Sequence, residues 1–193
     1  MLYYEWTYIL LIPAIIATLW AQSRVQSTYK KYSAVRSSQG YTGAQIARKI
    51  LDDNGLSYIG IEISPGSDLS DHFDPRSNVV RLSQSVYHST SIAAIGIAAH
   101  EVGHAIQYGE EYAPVKIRNA IIPVTNFGSK AAMPLLILGL IFSIPEIAFL
   151  GVLAYSLAVV FQLITLPVEF DASKRAVGIL DEHNYLNGEE LKG

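Results

Sequence analysis

The chain has 193 residues, of which 50 % are apolar and only 16 % charged, with a mean hydropathy of +0.27. That length suits one domain, and that balance points to a membrane. A net charge of −3 gives no reason to invoke nucleic acid, and the absence of cysteine excludes disulfides, iron–sulfur clusters and thiolate zinc ligands, leaving His, Asp and Glu to hold any metal.

Tyr8 to Ala21 is uncharged and apolar apart from Thr18. Extended back to Tyr3 across Glu5, the run reaches about 19 residues, enough for the ~30 Å hydrocarbon layer. A transmembrane helix over residues 3–22 is expected, with Tyr3, Tyr4, Trp6 and Tyr8 at one interface and Trp20 at the other. No Lys or Arg precedes the run, whereas Arg24, Lys30 and Lys31 follow it. It therefore reads as an anchor entered with the N-terminus outside, not as a cleaved signal.

Residues 24–118 carry the signs of a small α+β unit. Thr42 and Gln45 form a capping box, Ile46, Ala47, Ile50 and Leu51 share one helical face, and Gly55 suits the position after the helix, so a helix is expected from about Gly43 to Asn54. Tyr58 to Ser64 and Asn78 to Ser83 are β-prone runs separated by turn chemistry, and an antiparallel pair is expected. Val79, Val80, Arg81 and Leu82 are the candidate edge on which an extended substrate adds a strand; an ordinary strand without a ligand role is the alternative. Between the two runs, Asp71-His72-Phe73-Asp74-Pro75 is a turn-like cluster in which His72 is a candidate to approach the site.

His100-Glu101-Val102-Gly103-His104 decides the chemistry. Ser91 is a plausible N-cap for the apolar, small-residue run before it, and no proline intervenes before Pro114, so the motif sits on a helix. Residues four apart share a helical face, so both imidazoles reach one Zn²⁺, with Glu101 rotated by about 100° beside them. Zinc lowers the pKa of its water to about 7 and polarises a scissile carbonyl, and the glutamate takes the water's proton and passes it to the leaving amine.

The second apolar region, Ala131 to Leu166, contains one charge, Glu146 beside Pro145, and reads as a hairpin whose first limb begins near Ile121, giving a membrane hairpin over 121–166. All 14 Lys and Arg fall into two stretches, Arg24 to Lys130 and Lys174 to Lys192, and the positive-inside rule makes both cytoplasmic. Three spans satisfy that rule. Two histidines leave a catalytic zinc one protein ligand short, and the candidates are His72, His88, His183 and the carboxylates. Glu169 is preferred, since it follows the third span on the side of the motif helix; a first-turn glutamate after Pro167, at the start of a new helical stretch, is its bland alternative. Arg175 is a candidate to donate to an oxyanion or to orient a ligand, with a plain surface arginine as the alternative.

Six stretches carry a resemblance: Tyr3-Tyr4 with its apolar run, Leu69-Ser-Asp-His-Phe-Asp-Pro75, Val80-Arg-Leu-Ser83, Ala98-Ala-His-Glu-Val-Gly-His-Ala-Ile-Gln107, Tyr112-Ala-Pro114 and Leu166-Pro-Val-Glu-Phe-Asp-Ala-Ser173. With these the chain resembles the YugP-type neutral zinc metallopeptidases of bacterial membranes over nearly its whole length. That family is similar to the HtpX and CAAX-prenyl-protease group, where a glutamate after a membrane hairpin completes the zinc site. The resemblance implies this role for Glu169 and a small gluzincin-like catalytic unit. The HtpX-like group has Glu-x-x-Ala-Asp where this chain has Ser173 after Ala172, so Asp171 or Ser173 is the candidate support for the ligands. Family members also look longer, with a further apolar segment beyond Gly193.

These readings give a mainly α membrane protein with about three transmembrane helices, and a last cytoplasmic segment, 167–193, carrying the third ligand. The expected function is a multi-pass zinc endopeptidase at the cytoplasmic face of the cell membrane, with His100, His104 and Glu169 on the metal, Glu101 as general base, and peptide or protein substrates that include membrane proteins. One rival is an intramembrane-cleaving protease, for which the apolar run before His100 is too short. The other is a catalytically inactive membrane adaptor or scaffold that retains the metal site.

Overall fold

The computed structural model describes residues 9, 11–66 and 70–191. In chain order these form α1 (Leu11–Ser33), α2 (Gly43–Asp53), β1 (Gly60–Ile63), β2 (His72–Asp74), β3 (Val79–Leu82), the short α3 (Gln84–Tyr87), α4 (Ile92–Gly109), α5 (Ala113–Ile141) and α6 (Pro145–Glu182). The aromatic cluster from Tyr3 to Tyr8 lies outside the described residues. The described part of the expected first span continues as helix well past residue 22, through Arg24, Lys30 and Lys31 to Ser33, and it buries none of its side chains.

Capping chemistry sets the helix starts as the sequence indicates. Thr42 accepts from the Gln45 amide and the Gln45 side chain accepts from the Thr42 amide, which starts α2, and Gly55 takes a φ of +72° just past its end. Ser91 accepts from the Ala94 amide and starts α4. The apolar face of α2, with Ile46, Ile50 and Leu51, packs on Ile95, Ala98, Ala99 and Val102 of α4, and Val80 and Leu82 of β3 join the same core. Ala176 and Leu180 of α6, with Tyr185 and Leu186 after it, close that core. Residues on both sides of the apolar hairpin in sequence thus build one packed unit.

The sheet differs from expectation in two respects. Its order is β1-β3-β2, with β1 parallel to β3 and β2 antiparallel to it. The two β-prone runs therefore pair in parallel, because the connection between them contains a third strand: β2 and β3 form a hairpin through a turn in which Asp74 Oδ1 accepts from the Arg76 amide and Asn78 takes a φ of +52°. Consequently Val79, Val80, Arg81 and Leu82 form the central strand, flanked on both sides, and cannot be the receiving edge. Arg81 instead ties the three strands together, reaching Glu62 of β1 at 3.3 Å and Asp74 of β2 at 2.7 Å. Hydrogen bonds from Ser77, Arg81 and the Arg76 amide hold the Asp74 carboxyl well below the usual carboxylate range.

α5 and α6 are both long and apolar enough to cross a membrane. They pack as an antiparallel hairpin turned at Phe142 to Ile144, with Ser143 at a φ of +54°. Small residues allow the close approach: a Cβ on Gly151 would lie 2.8 Å from the Ala132 carbonyl oxygen, and Gly139 sits directly against Ala148. Outward-facing Phe127, Leu140, Phe149 and Leu163 are exposed, the pattern of a lipid-facing surface. Across Pro167, α6 runs without a break, so no new helix begins before Glu169 and the first-turn alternative for that residue does not hold. At 1.5 Å per residue this helix is about 57 Å long, longer than a layer of roughly 30 Å requires, and its last turns form one wall of the site.

Candidate metal centre

The site is built where α4 meets the C-terminal part of α6. Gly103, within the motif itself, sets the approach, because a Cβ there would lie 2.8 Å from the Ala172 carbonyl oxygen. Glu169 lies three residues before Ala172, on the same side of α6. Its Oε2 stands 3.3 Å from His100 Nε2 and 3.4 Å from His104 Nε2. Among the described residues, these three are the group whose donor atoms all lie within 4.8 Å of one another.

The spacing fits zinc. Ligands at ~2.0–2.1 Å from a tetrahedral centre lie about 3.3–3.4 Å apart, the separation seen from Glu169 to each imidazole. Electrostatics agree. Contacts with His100 and then His104 hold the Glu169 carboxyl well below the ordinary range. Burial opposes the His104 imidazolium, yet contacts with Glu169 and Gln107 raise its pKa above the ordinary imidazole value. Both shifts mark a spot where positive charge is favoured.

Partners behind the imidazoles orient them. His104 Nδ1 lies 3.1 Å from Gln107 Oε1. Gln107 is fully buried, and its amide nitrogen already donates to the Val168 carbonyl and to Asp171 Oδ2, each at 2.8 Å. Its oxygen is therefore left for His104, which puts a proton on Nδ1 and turns the Nε2 lone pair to the centre. His100 Nδ1 meets Ser173 Oγ at 3.2 Å. Of the candidate supports, Asp171 touches Gln107 and Ser173 touches His100 directly. Gln107 went unassigned in the sequence; its signal was its place one turn after His104 on the buried face of α4.

Arg175 does not line the cavity. Its Nε donates to Asp171 Oδ2 at 2.6 Å and its Nη1 to Glu110 at 2.8 Å, so it braces the Gln107 relay from behind, and the oxyanion reading finds no support. His72 does line the cavity, its Nδ1 2.8 Å from the Ser70 carbonyl oxygen. His88 caps α3, and His183 stacks on Tyr185 and reaches the Ile179 carbonyl, so neither joins the centre.

Glu101 also lines the cavity and is not one of the three grouped donors. Burial raises its carboxyl above the ordinary value, opposed by His104 and His100 and reinforced by Asp71 and Glu169. Asp71 is fixed nearby by the Ser83 amide at 2.7 Å and the Ser83 hydroxyl at 3.1 Å. The cavity in front of these groups has a volume of about 280 Å³.

Comparison with known proteins gives the arrangement a family. No solved structure shows significant similarity. The chain is 46 % identical over 184 residues, 95 % of its own length and 81 % of the relative's, to a Bacillus subtilis (strain 168) protein named "Putative membrane protease YugP". That name, with the two apolar helices here, places the chain in association with a membrane. The family model described as "Putative neutral zinc metallopeptidase" matches residues 7–193, so the chain belongs to that family, whose cofactor is zinc.

Proposed function

We propose that the chain is a membrane-embedded zinc endopeptidase working at the cytoplasmic membrane face. The observation that carries this reading is the convergence of His100, His104 and Glu169 on one point, with Glu101 beside it in the same cavity. His100, His104 and Glu169 would hold the ion. When bound, zinc supplies an activated water and polarises the scissile carbonyl. Glu101 accepts the proton at its carboxylate and releases it to the departing amine. Gln107 and Ser173 hold the imidazoles in the required tautomer and orientation. With β3 in the middle of the sheet, the edge strand that lines the cavity is β2, and His72 to Asp74 take over the strand-addition role in this reading.

The topology follows from charge. Arg24 to Lys130 and Lys174 to Lys192 lie on the cytoplasmic side, which requires one crossing before the first stretch and two between them, with Glu146 outside. One experiment tests chemistry and orientation together. Inside-out membrane vesicles carrying the chain should cleave an added fluorogenic peptide, and chelation should stop this until Zn²⁺ is restored. Right-side-out vesicles should leave the peptide intact until detergent opens them. Equal cleavage by sealed vesicles of the opposite orientation would contradict the cytoplasmic placement, and no cleavage by either, even with zinc bound and the membrane opened, would contradict the peptidase reading.

A further inference from the structure

One wall of the cavity is not used by the zinc chemistry. Val115, Arg118 and Asn119, spaced i, i+3, i+4 near the start of α5, line it. Among the described residues no hydrogen bond or ion pair reaches the Arg118 side chain, and its Nε is buried without a partner. Arg81 and Arg175, by contrast, each meet two carboxylates. Of the carboxylates that line the cavity, Asp71 accepts from Ser83 and Glu169 faces the two histidines, and no ion pair joins Glu101 to Arg118. A guanidinium offers its donors as a planar fork that a carboxylate fills two at a time, whereas a neutral carbonyl oxygen fills one. The buried Nε left unmet is costly until an anion arrives.

We propose that Arg118 is a specificity-determining residue that binds a carboxylate of the substrate close to the cleaved bond. This inference rests on the peptidase reading above and names what that site selects. At about 280 Å³ the cavity lies just below the ~300–1,000 Å³ of pockets that hold drug-sized ligands, so it accommodates the short piece of chain next to the bond and not a long segment. The carboxylate comes from a chain terminus or from an Asp or Glu side chain; the first source places the cut near a C-terminus, the second permits an internal cut.

Three peptide hydroxamates separate these cases. They share a zinc-chelating head and one apolar residue, and end respectively in a free carboxylate, in an amide, and in an amide after a glutamate. Their binding to the full zinc-loaded chain in detergent is measured, with zinc content and peptide cleavage determined on the same preparations. The wild type should bind one carboxylate probe about ten- to a hundred-fold more tightly than the plain amide, and which one identifies the source. Arg118→Ala should erase that preference while changing affinity for the amide by less than about twofold. Arg118→Lys should keep part of it, since lysine retains the charge without the fork. Equal binding of all three probes by the wild type, a preference that survives Arg118→Ala, or equal weakening of all three by that variant overturns the proposal. A chain that shows the Arg118-dependent preference but cleaves no peptide retains this inference and loses the peptidase reading. A chain that holds no zinc and binds no probe loses both.

Discussion

Glu101→Gln is expected to lower the rate of peptide hydrolysis by about 10²–10⁴-fold while zinc content stays at the wild-type level, because the amide keeps the shape of the side chain but cannot accept a proton at neutral pH. Zinc should remain because Glu101 is not one of the three converging donors. Its burial, which raises the carboxyl, suits a base that must later give its proton away. Steady-state kinetics on one cleavable peptide, with metal analysis of both proteins, check this. A rate within tenfold of wild type would place the base elsewhere, and full cellular function in the variant would favour an adaptor that has kept its metal site.

Gly103→Ala should destabilise the protein, against the ordinary trend. In an open helix, alanine is favoured over glycine by about 0.5–1 kcal/mol. Here the added Cβ would meet the Ala172 carbonyl oxygen at 2.8 Å and Ala172 Cα at 3.3 Å, backbone atoms that cannot swing aside. Overpacking of this kind costs about 1–3 kcal/mol, and relief by separating α4 from α6 would carry Glu169 away from both histidines. Gly96→Ala on the same helix is the control, since a Cβ there meets nothing within 4 Å. Thermal unfolding and zinc affinity in detergent should show Gly103→Ala impaired in both and Gly96→Ala unimpaired. A Gly103→Ala protein as stable and as tightly metallated as Gly96→Ala would mean the close approach does not hold the site together.

Local signals made the motif helix, the capping box of α2 and the apolar hairpin legible, because capping residues and apolar runs act within a few positions of themselves. Strand partners were not legible. β2 has only three residues, and nothing in Asn78 to Ser83 states that a parallel neighbour and an antiparallel one flank it, so its central position could not be read from propensity. Pro167 suggested a helix start, yet α6 passes through it, where tertiary packing of Val168, Ala172 and Ala176 outweighs the lost backbone hydrogen bond. In the site, residue chemistry and spacing singled out His100, Glu101 and His104, while Glu169 was singled out by its place after the apolar hairpin and by the family resemblance. The roles of Gln107, Gly103 and Arg118 depend on which surfaces α5 and α6 present to α4, a long-range fact that no window along the chain contains.

The claim that His100, His104 and Glu169 together hold the zinc is tested most directly by metal analysis of the purified wild type beside His100→Ala, His104→Ala and Glu169→Ala, each first shown to be folded. About one zinc per wild-type chain is expected, with its loss in either histidine variant and at least a 10-fold weaker affinity in Glu169→Ala. Wild-type stoichiometry in either histidine variant, or wild-type affinity in Glu169→Ala, would contradict the account.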